Sequence, residues 1–379
     1  MKGTAGALVL LSVAAWSFAP AAPATTPPLD TSPLPPPEWP IAQDIADAVR
    51  TDAFRRAQVR LDTPDAFPLD NVVFSETDSV PPPTRKPVLC RYLYDEPSGT
   101  SSKFDCVLES GQIIKVKYGR NSEIHAETAT STLLTALGYA ADQVRIVPRV
   151  RCYGCPRFPF LLSRLLFAAQ VPNPLNPDGY DTGYTDFDWV SVESKFDAPP
   201  IETETVEGWA WYELARSEAP RADLDTFRLL AAFLAHWDNK SDNQRLACLD
   251  QVPAPPDGRC ERPLLIIQDM GATFGPVKVN LSGWRDRPIW LDARECRVTM
   301  RDLPFSCATY PDVQISEAGR LQLAQWLAAL SDENVRRMFS DARFHDFYSG
   351  TDDERDLDAW TAAFRSRVDQ IVNAGPCPE

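Results

Sequence analysis

The fold of this chain is indicated by a polar stretch, HWDNKSDN at residues 236–243. An apolar run with helical spacing, residues 227–234, precedes it. A second polar stretch, QDMG at residues 268–271, follows an apolar strand candidate at 264–267. The two stretches therefore place candidate functional side chains at the end of a helix and at the end of a strand.

These side chains fit the requirements of phosphoryl transfer. That reaction needs one carboxylate near the attacking hydroxyl, plus an Asn and a second Asp that hold the metal ions neutralising the phosphates. Asp238 is the candidate for the first role, and Asn243 and Asp269 are the candidates for metal ligation. Other catalytic patterns, such as G-x-S-x-G, H-E-x-x-H or a P-loop, do not occur in the sequence.

The H-x-D-x-K-x-x-N and D-x-G patterns resemble the catalytic loop and metal-binding turn of the protein-kinase-like superfamily. The sequence looks like uncharacterised bacterial relatives of that superfamily and is more distantly similar to HipA-like kinases, spore-coat CotH kinases and secreted Golgi casein-kinase-type enzymes. The resemblance implies ATP, Mg or Mn, and an α+β, two-lobed fold with an antiparallel-sheet N-lobe and a mainly helical C-lobe. Lys240 falls where many kinases carry a lysine that contacts the γ-phosphate, which implies a catalytic role beside Asp238.

A lysine on a strand and a glutamate on the next helix form a further candidate pair. The strand at 112–118 offers Lys115 and Lys117 on one face, and the helix at 123–137 carries Glu123 and Glu127 within or beside its apolar stripe. A carboxylate on the buried side of a helix is costly unless it is paired. The residues leave open which lysine and which glutamate pair, and a surface salt bridge is the alternative. By the kinase-like resemblance, Lys117 and Glu127 are taken as the nucleotide-binding pair.

Short strand candidates precede that helix. Residues 88–94, 104–108 and 112–118 predict an antiparallel meander. The turn PSGTSS at 97–102 could cover nucleotide phosphates through backbone N–H groups, with Gly99 and Ser101 as cofactor-binding candidates; an ordinary hairpin is the alternative. Further strands are predicted at 144–150, 158–162 and 189–196, and further helices at 41–59, 222–235, 317–330, 332–339 and 357–372.

The remaining organisation points to export. Residues 1–22 are typical of a secretory signal peptide, because Met1 and Lys2 precede an apolar run at 5–16 and small residues to Ala22. A transmembrane anchor is the alternative, but the apolar run falls short of the roughly 18 residues of a membrane span. A Pro/Ala-rich linker is predicted at 23–40, an N-terminal helix and extended segment at 41–87, the N-lobe at 88–205 and the C-lobe at 206–379. We expect a secreted or periplasmic protein with no stable membrane insertion after cleavage. The net charge of −15 argues against a nucleic-acid partner, and the oligomeric state is left open.

The nine cysteines suggest disulfides in an exported chain. Local spacing favours the pairs Cys90/Cys106, Cys152/Cys155, Cys248/Cys260 and Cys296/Cys307, with Cys377 left over. Structural zinc at Cys152 and Cys155 is the alternative. The segment between Asn243 and Asp269 is longer than the usual kinase hairpin, and its excess looks like an insertion closed by Cys248 and Cys260.

The functional hypothesis is an exported kinase-like phosphotransferase that uses Mg/Mn-ATP to phosphorylate a hydroxyl of a protein or a small molecule. Two alternatives stay open: a secreted pseudokinase that binds nucleotide without turnover, and an AMP transferase on the same fold. The histidines at 125, 236 and 345 are interpreted as structural, with His236 orienting the loop that carries Asp238.

Overall fold

A computed structural model describes residues 43–61, 86–95, 99–169, 183–250, 259–304, 307–346 and 352–378. The predicted signal peptide and linker lie outside these residues, as do most of the predicted extended segment before residue 87, residues 170–182, and the prolines between Cys248 and Cys260. No helix among the described ranges is long and apolar enough to cross a membrane.

The chain folds as a mixture of helices and sheets, which confirms the α+β prediction. The strands are β1 Val88–Leu93, β2 Lys103–Leu108, β3 Ile113–Lys117, β4 Gln143–Tyr153, β5 Tyr184–Ser194, β6 Gln244–Cys248, β7 Pro263–Ile267, β8 Trp290–Asp292, β9 Arg297–Val298 and β10 Val313–Gln314. The α-helices are α1 Gln43–Arg56, α2 Glu123–Ala136, α3 Pro159–Ala168, α4 Arg221–Leu234, α5 Leu281–Arg285, α6 Glu317–Ala329, α7 Asp332–Asp341 and α8 Leu357–Val372.

Strands β1 to β5 close into a barrel in the order β1-β2-β3-β5-β4. The predicted meander of β1, β2 and β3 is confirmed, since each consecutive pair is antiparallel. A parallel pairing of β1 with β4 closes the barrel. Alternate residues such as Ile114 and Val116 enter an apolar cluster, so the residues between them face the other way, towards α2.

The C-terminal half is mainly helical and packs around α4. Every residue of α4 from Leu224 to Leu234 is buried, and α6 makes the most extensive contacts with it. The buried tryptophans Trp284 and Trp360 join α5 and α8 to the same apolar cluster. The hairpin of β6 and β7 brings the segment after α4 next to the segment before Asp269.

One predicted strand is wrong. Residues 158–162 form the start of α3, which has Pro159 in its first turn. Proline at this position has no N–H to lose and already holds a helical φ. The periodicity of a short apolar run does not distinguish a strand from a helix. Here the run continues as a helix to Ala168.

One predicted disulfide is also wrong. The structure joins Cys90–Cys106, Cys152–Cys155 and Cys248–Cys260 as predicted, which leaves no free thiol pair for zinc at Cys152 and Cys155. Cys296, however, bonds to Cys377, and Cys307 is a free, exposed thiol. The reason is the path of the chain after α8. There the backbone N–H of Cys377 donates to Glu317 at the start of α6, and α8 itself packs on α5 and α6.

Candidate functional site

The centre of the candidate site is the ammonium group of Lys117, at the end of β3. Its side chain is 3% exposed. The Nζ atom donates to both carboxylate oxygens of Glu127 at 2.8 Å and to Asp269 Oδ1 at 3.2 Å. A third carboxylate, Glu193 on β5, lies 3.6 Å away. One buried cation therefore joins β3, β5, α2 and the D-x-G turn.

This geometry separates the alternatives that the sequence left open. Lys115 points to the same side of β3 but pairs with Glu193 at 3.4 Å. Glu123, in the first turn of α2, accepts a hydrogen bond from the Ser101 hydroxyl. Of the two lysines and two glutamates, it is Lys117 and Glu127 that contact each other.

The glycine of the D-x-G turn allows α2 to come this close. A Cβ added to Gly271 would lie 2.8 Å from the Cβ of Glu123, closer than packed side chains tolerate. In addition, the Thr273 hydroxyl hydrogen-bonds the Thr130 hydroxyl of α2 at 3.0 Å. The turn thus packs closely against the first turns of the helix, and Asp269 and Glu127 contact the same ammonium group.

Burial and charge act against each other in this cluster. Burial alone would lower the pKa of Lys117, but Glu127, Asp269 and Glu193 outweigh it and hold that pKa well above its ordinary value. Burial raises the pKa of the Glu127 carboxyl, against the opposing ammonium of Lys117. Attraction to Lys117 lowers the pKa of Asp269. Buried charges of this kind are tolerated only when each has its partner.

The loop after α4 begins with a sharp change of direction. Ala235 adopts a left-handed conformation with φ 54°, and the backbone N–H of His236 closes the helix end on Ala231 O at 3.0 Å. His236 is completely buried, and burial lowers its pKa to about 4. Its imidazole is therefore neutral near pH 7. Neither ring nitrogen has a hydrogen-bond partner among the described residues, so no such bond supports the predicted orienting role.

Asp238 and Asn243 lie on this loop. Asn243 Nδ2 donates to the backbone carbonyl of Asp238 at 2.7 Å, which closes the loop on itself. Asp238 Oδ1 is buried and has no hydrogen-bond partner within the described ranges. Burial raises the pKa of this carboxyl, and the nearby ammonium of Lys240 opposes the rise. An unpartnered buried carboxylate oxygen is costly in the free protein and is available to a ligand donor.

The loop is attached to the D-x-G segment by backbone hydrogen bonds. Gln268 N donates to Asn243 O at 2.9 Å, and Trp237 N donates to Ala272 O at 3.3 Å. Asp269 itself takes φ 49°, a left-handed conformation that costs free energy in a residue other than glycine and that clusters at functional sites. The two candidate metal ligands, Asn243 and Asp269, therefore lie on adjacent, mutually fixed backbone segments.

A divalent cation fits the donor atoms at this place. Asp269 is 48% exposed, and Lys117 contacts its Oδ1. The amide oxygen of Asn243 accepts no hydrogen bond from the residues that the structure describes, because the amide nitrogen holds the loop. Carboxylate and amide oxygens are the ligands that Mg²⁺ and Mn²⁺ prefer.

The glycine-containing turn lies beside the start of α2. Gly99 has φ 68°, and a Cβ added there would lie 3.3 Å from the Nζ of Lys103. The Ser101 hydroxyl is committed to Glu123. Residues 96–98 lie outside the described ranges. That backbone N–H groups of this turn contact nucleotide phosphates stays a prediction.

Sequence reasoning missed three charged residues of the cluster, Glu193, Lys195 and Lys103. Glu193 is opposite Lys115 across β3 and β5, and Lys195 contacts it at 2.8 Å. Lys103 is opposite Lys117 across β2 and β3. Strand alternation could have put each on a polar face, but the pairing register that makes them neighbours is not readable from the sequence.

No family model and no curated protein match the sequence. The crystal structure of a Helicobacter pylori proinflammatory kinase, CtkA, is similar over 75% of this chain and 96% of that one, at 9% sequence identity and a TM-score of 0.38. A likeness this loose indicates nothing about the function of this chain.

Proposed function

We propose that this protein is an exported, kinase-like phosphotransferase with a two-lobed fold, which transfers a phosphoryl group from Mg- or Mn-ATP to a hydroxyl acceptor. The observation that carries the proposal is the buried ammonium of Lys117, bound by Glu127 at 2.8 Å and by Asp269 at 3.2 Å. A lysine fixed by a helix glutamate is how such sites position nucleotide phosphates. Backbone hydrogen bonds join the loop of Asp238 and Asn243 to the same D-x-G segment. The candidate catalytic and metal-binding side chains therefore lie on neighbouring segments.

Each residue has a distinct task in this proposal. The unpartnered oxygen of Asp238 accepts the hydrogen bond of the attacking hydroxyl and orients it, and the raised pKa of this carboxyl suits it to take the proton. Lys240, on the same loop, stabilises negative charge that develops on the transferred group. Asn243 and Asp269 hold the divalent ion, which supplies neutralisation of the phosphate charge.

The acceptor is proposed to be a hydroxyl on a protein or a small molecule, outside the cytoplasm. The net charge of −15 supports a partner other than nucleic acid, since a polyanion would be repelled. An apolar leader of the signal-peptide type at residues 1–22 supports export.

Calorimetry with Mg-ATP on the protein without residues 1–22 tests the site. Asp269→Ala should abolish binding, because it removes a metal carboxylate and leaves phosphate charge uncompensated. Asp238→Ala should bind like the wild type but transfer nothing, because that side chain acts on the acceptor. Asp242→Ala is the matched control, because it removes a carboxylate from the same loop. The Asp242 side chain is 56% exposed, so water screens its 3.7 Å contact with Lys240.

ATP labelled separately at the γ- and α-phosphates identifies the reaction. A γ-label on an acceptor protein that disappears in Asp238→Ala and persists in Asp242→Ala supports phosphoryl transfer. An α-label would assign AMP transfer, and binding without either label would assign a nucleotide-binding module. Equal Mg-ATP affinity in the wild type and Asp269→Ala would refute the site itself.

A further inference from the structure

Lys103, the first residue of β2, lies in the candidate site although no sequence motif marks it. It is opposite Lys117 in the β2–β3 pairing, so the two side chains leave the sheet on the same face. Its ammonium is 3.3 Å from the position that a Gly99 Cβ would occupy. Lys103 therefore reaches beneath the glycine-containing turn, between that turn and the Lys117 cluster.

Among the residues that the structure describes, this ammonium has no carboxylate in contact with it. Lys115, Lys117 and Lys195 each contact a carboxylate, at 3.4, 2.8 and 2.7 Å respectively. Lys103 has no hydrogen bond or ion pair with any residue in the described parts of the chain, although it is partly buried. Burial and the neighbouring Lys117 and Lys115 lower the pKa of this ammonium, and the carboxylates of Asp269 and Glu193 oppose them. A partly buried cation without a partner costs free energy until an anion arrives.

The ammonium of Lys117 does not by itself supply the positive charge that an entering polyphosphate requires. Lys117 is surrounded by Glu127, Glu193 and Asp269, so its positive charge is already balanced by the protein. A polyphosphate that enters beside three carboxylates needs a further cation besides the metal. Lys240, on the loop of Asp238, lies 3.7 Å from Asp242. Among the described lysines of the site, Lys103 is thus the one that contacts no carboxylate.

We propose that Lys103 binds the phosphate groups of the nucleotide from beneath the Gly99 turn, as a second phosphate-contacting lysine supplied by β2. The proposal rests on the proposed function, because it presumes that a nucleoside triphosphate occupies the site. It assigns Lys103 recognition of the phosphates and no part in recognising the adenosine.

Calorimetry on Lys103→Met, Lys103→Arg and Lys86→Met tests this assignment. Lys103→Met should weaken Mg-ATP and Mg-tripolyphosphate by about 10- to 100-fold, the usual effect of losing a charge-assisted hydrogen bond. Adenosine affinity should stay unchanged, and Lys103→Arg should keep most of the Mg-ATP affinity. Lys86→Met removes the same charge from an exposed position before β1 and should behave like the wild type.

The outcomes separate the two proposals. Wild-type Mg-ATP affinity in Lys103→Met, together with loss of binding in Asp269→Ala, would overturn the role of Lys103 and leave the proposed function standing. A wild-type protein that binds no Mg-ATP would overturn both.

Chemical labelling of the wild-type protein gives a second measurement, which does not depend on the folding of a variant. An amine-acylating reagent should modify Lys103 in the free protein, and Mg-ATP or Mg-tripolyphosphate should protect it whereas adenosine should not. Lys86 should be labelled equally in all samples. Equal labelling of Lys103 with and without Mg-ATP, at a concentration that saturates the site, would refute the proposal.

Discussion

The buried contact of Lys117 with Glu127 gives the sharpest test of the site, through the free energy of unfolding. Lys117→Met removes the cation that Glu127 contacts with both oxygens at 2.8 Å, and leaves Glu193 and Asp269 facing an uncompensated carboxylate. Removing one partner of a buried ion pair costs about 3–5 kcal/mol. That is a large share of the roughly 5–15 kcal/mol by which folded domains are stable.

Lys195→Met is the matched control, since it also removes a lysine that contacts Glu193. The side chain of Lys195 is 48% exposed, against 3% for Lys117. Its buried carboxylate partners also keep other cations, since Glu193 retains Lys115 and Lys117 and Asp142 retains Arg245. The loss of this half-exposed lysine should therefore cost only about 1 kcal/mol. Both costs are measured by urea unfolding with disulfides intact, followed by tryptophan fluorescence.

A double-mutant cycle with Glu127→Gln isolates the pair. The variant that carries both Lys117→Met and Glu127→Gln lacks the uncompensated carboxylate, so it should be more stable than the sum of the single changes implies, by about 1–3 kcal/mol. A Lys117→Met that costs no more than Lys195→Met, or a cycle that closes to zero, would refute a tight buried pair and with it the geometry of the site.

Three further predictions concern other parts of the fold. Burial holds the pKa of His236 at about 4, so between that value and about 6.5 the unfolded chain binds a proton that the folded chain does not. Stability should therefore fall by about 3 kcal/mol as pH drops through that window, and urea titrations of His236→Gln should lack this part of the loss; equal pH slopes in the two proteins would contradict it. Peptide mapping without reductant should find Cys296 joined to Cys377, and Cys377→Ser should cost about 4 kcal/mol for a closed loop with a sequence separation of 81, whereas Cys307→Ser should leave stability unchanged. Gly271→Ala should displace the first turn of α2, lowering the melting temperature and weakening Mg-ATP binding together, because the added Cβ would meet that helix at 2.8 Å; a variant with wild-type values of both would argue against this close packing.

The residue patterns within short segments of the sequence were enough to predict much of the fold. Alternation and turn residues gave the antiparallel pairing of β1, β2 and β3, and helical spacing gave α2 and α4. The polar stretches around Asp238 and Asp269 were placed correctly after a helix and a strand, because these properties depend only on neighbours along the chain. Three disulfides were predicted correctly because their cysteines are close in sequence, with separations of 16, 3 and 12.

Contacts between distant segments were decided only by the tertiary structure. Alternation placed Lys115 and Lys117 on one face of β3, but the packing of α2 on the D-x-G turn selected Lys117 for Glu127. The pairing register brought Lys103 and Glu193 into the same cluster.

The bond between Cys296 and Cys377 was likewise decided only by the tertiary structure. It closes 81 residues of sequence because α8 packs against α5 and α6 and brings the C-terminus back to the start of α6. The sequence determines which face a side chain occupies, since that depends on backbone geometry of a few residues. It leaves open which distant face is packed against it, since that depends on the burial of the whole chain at once.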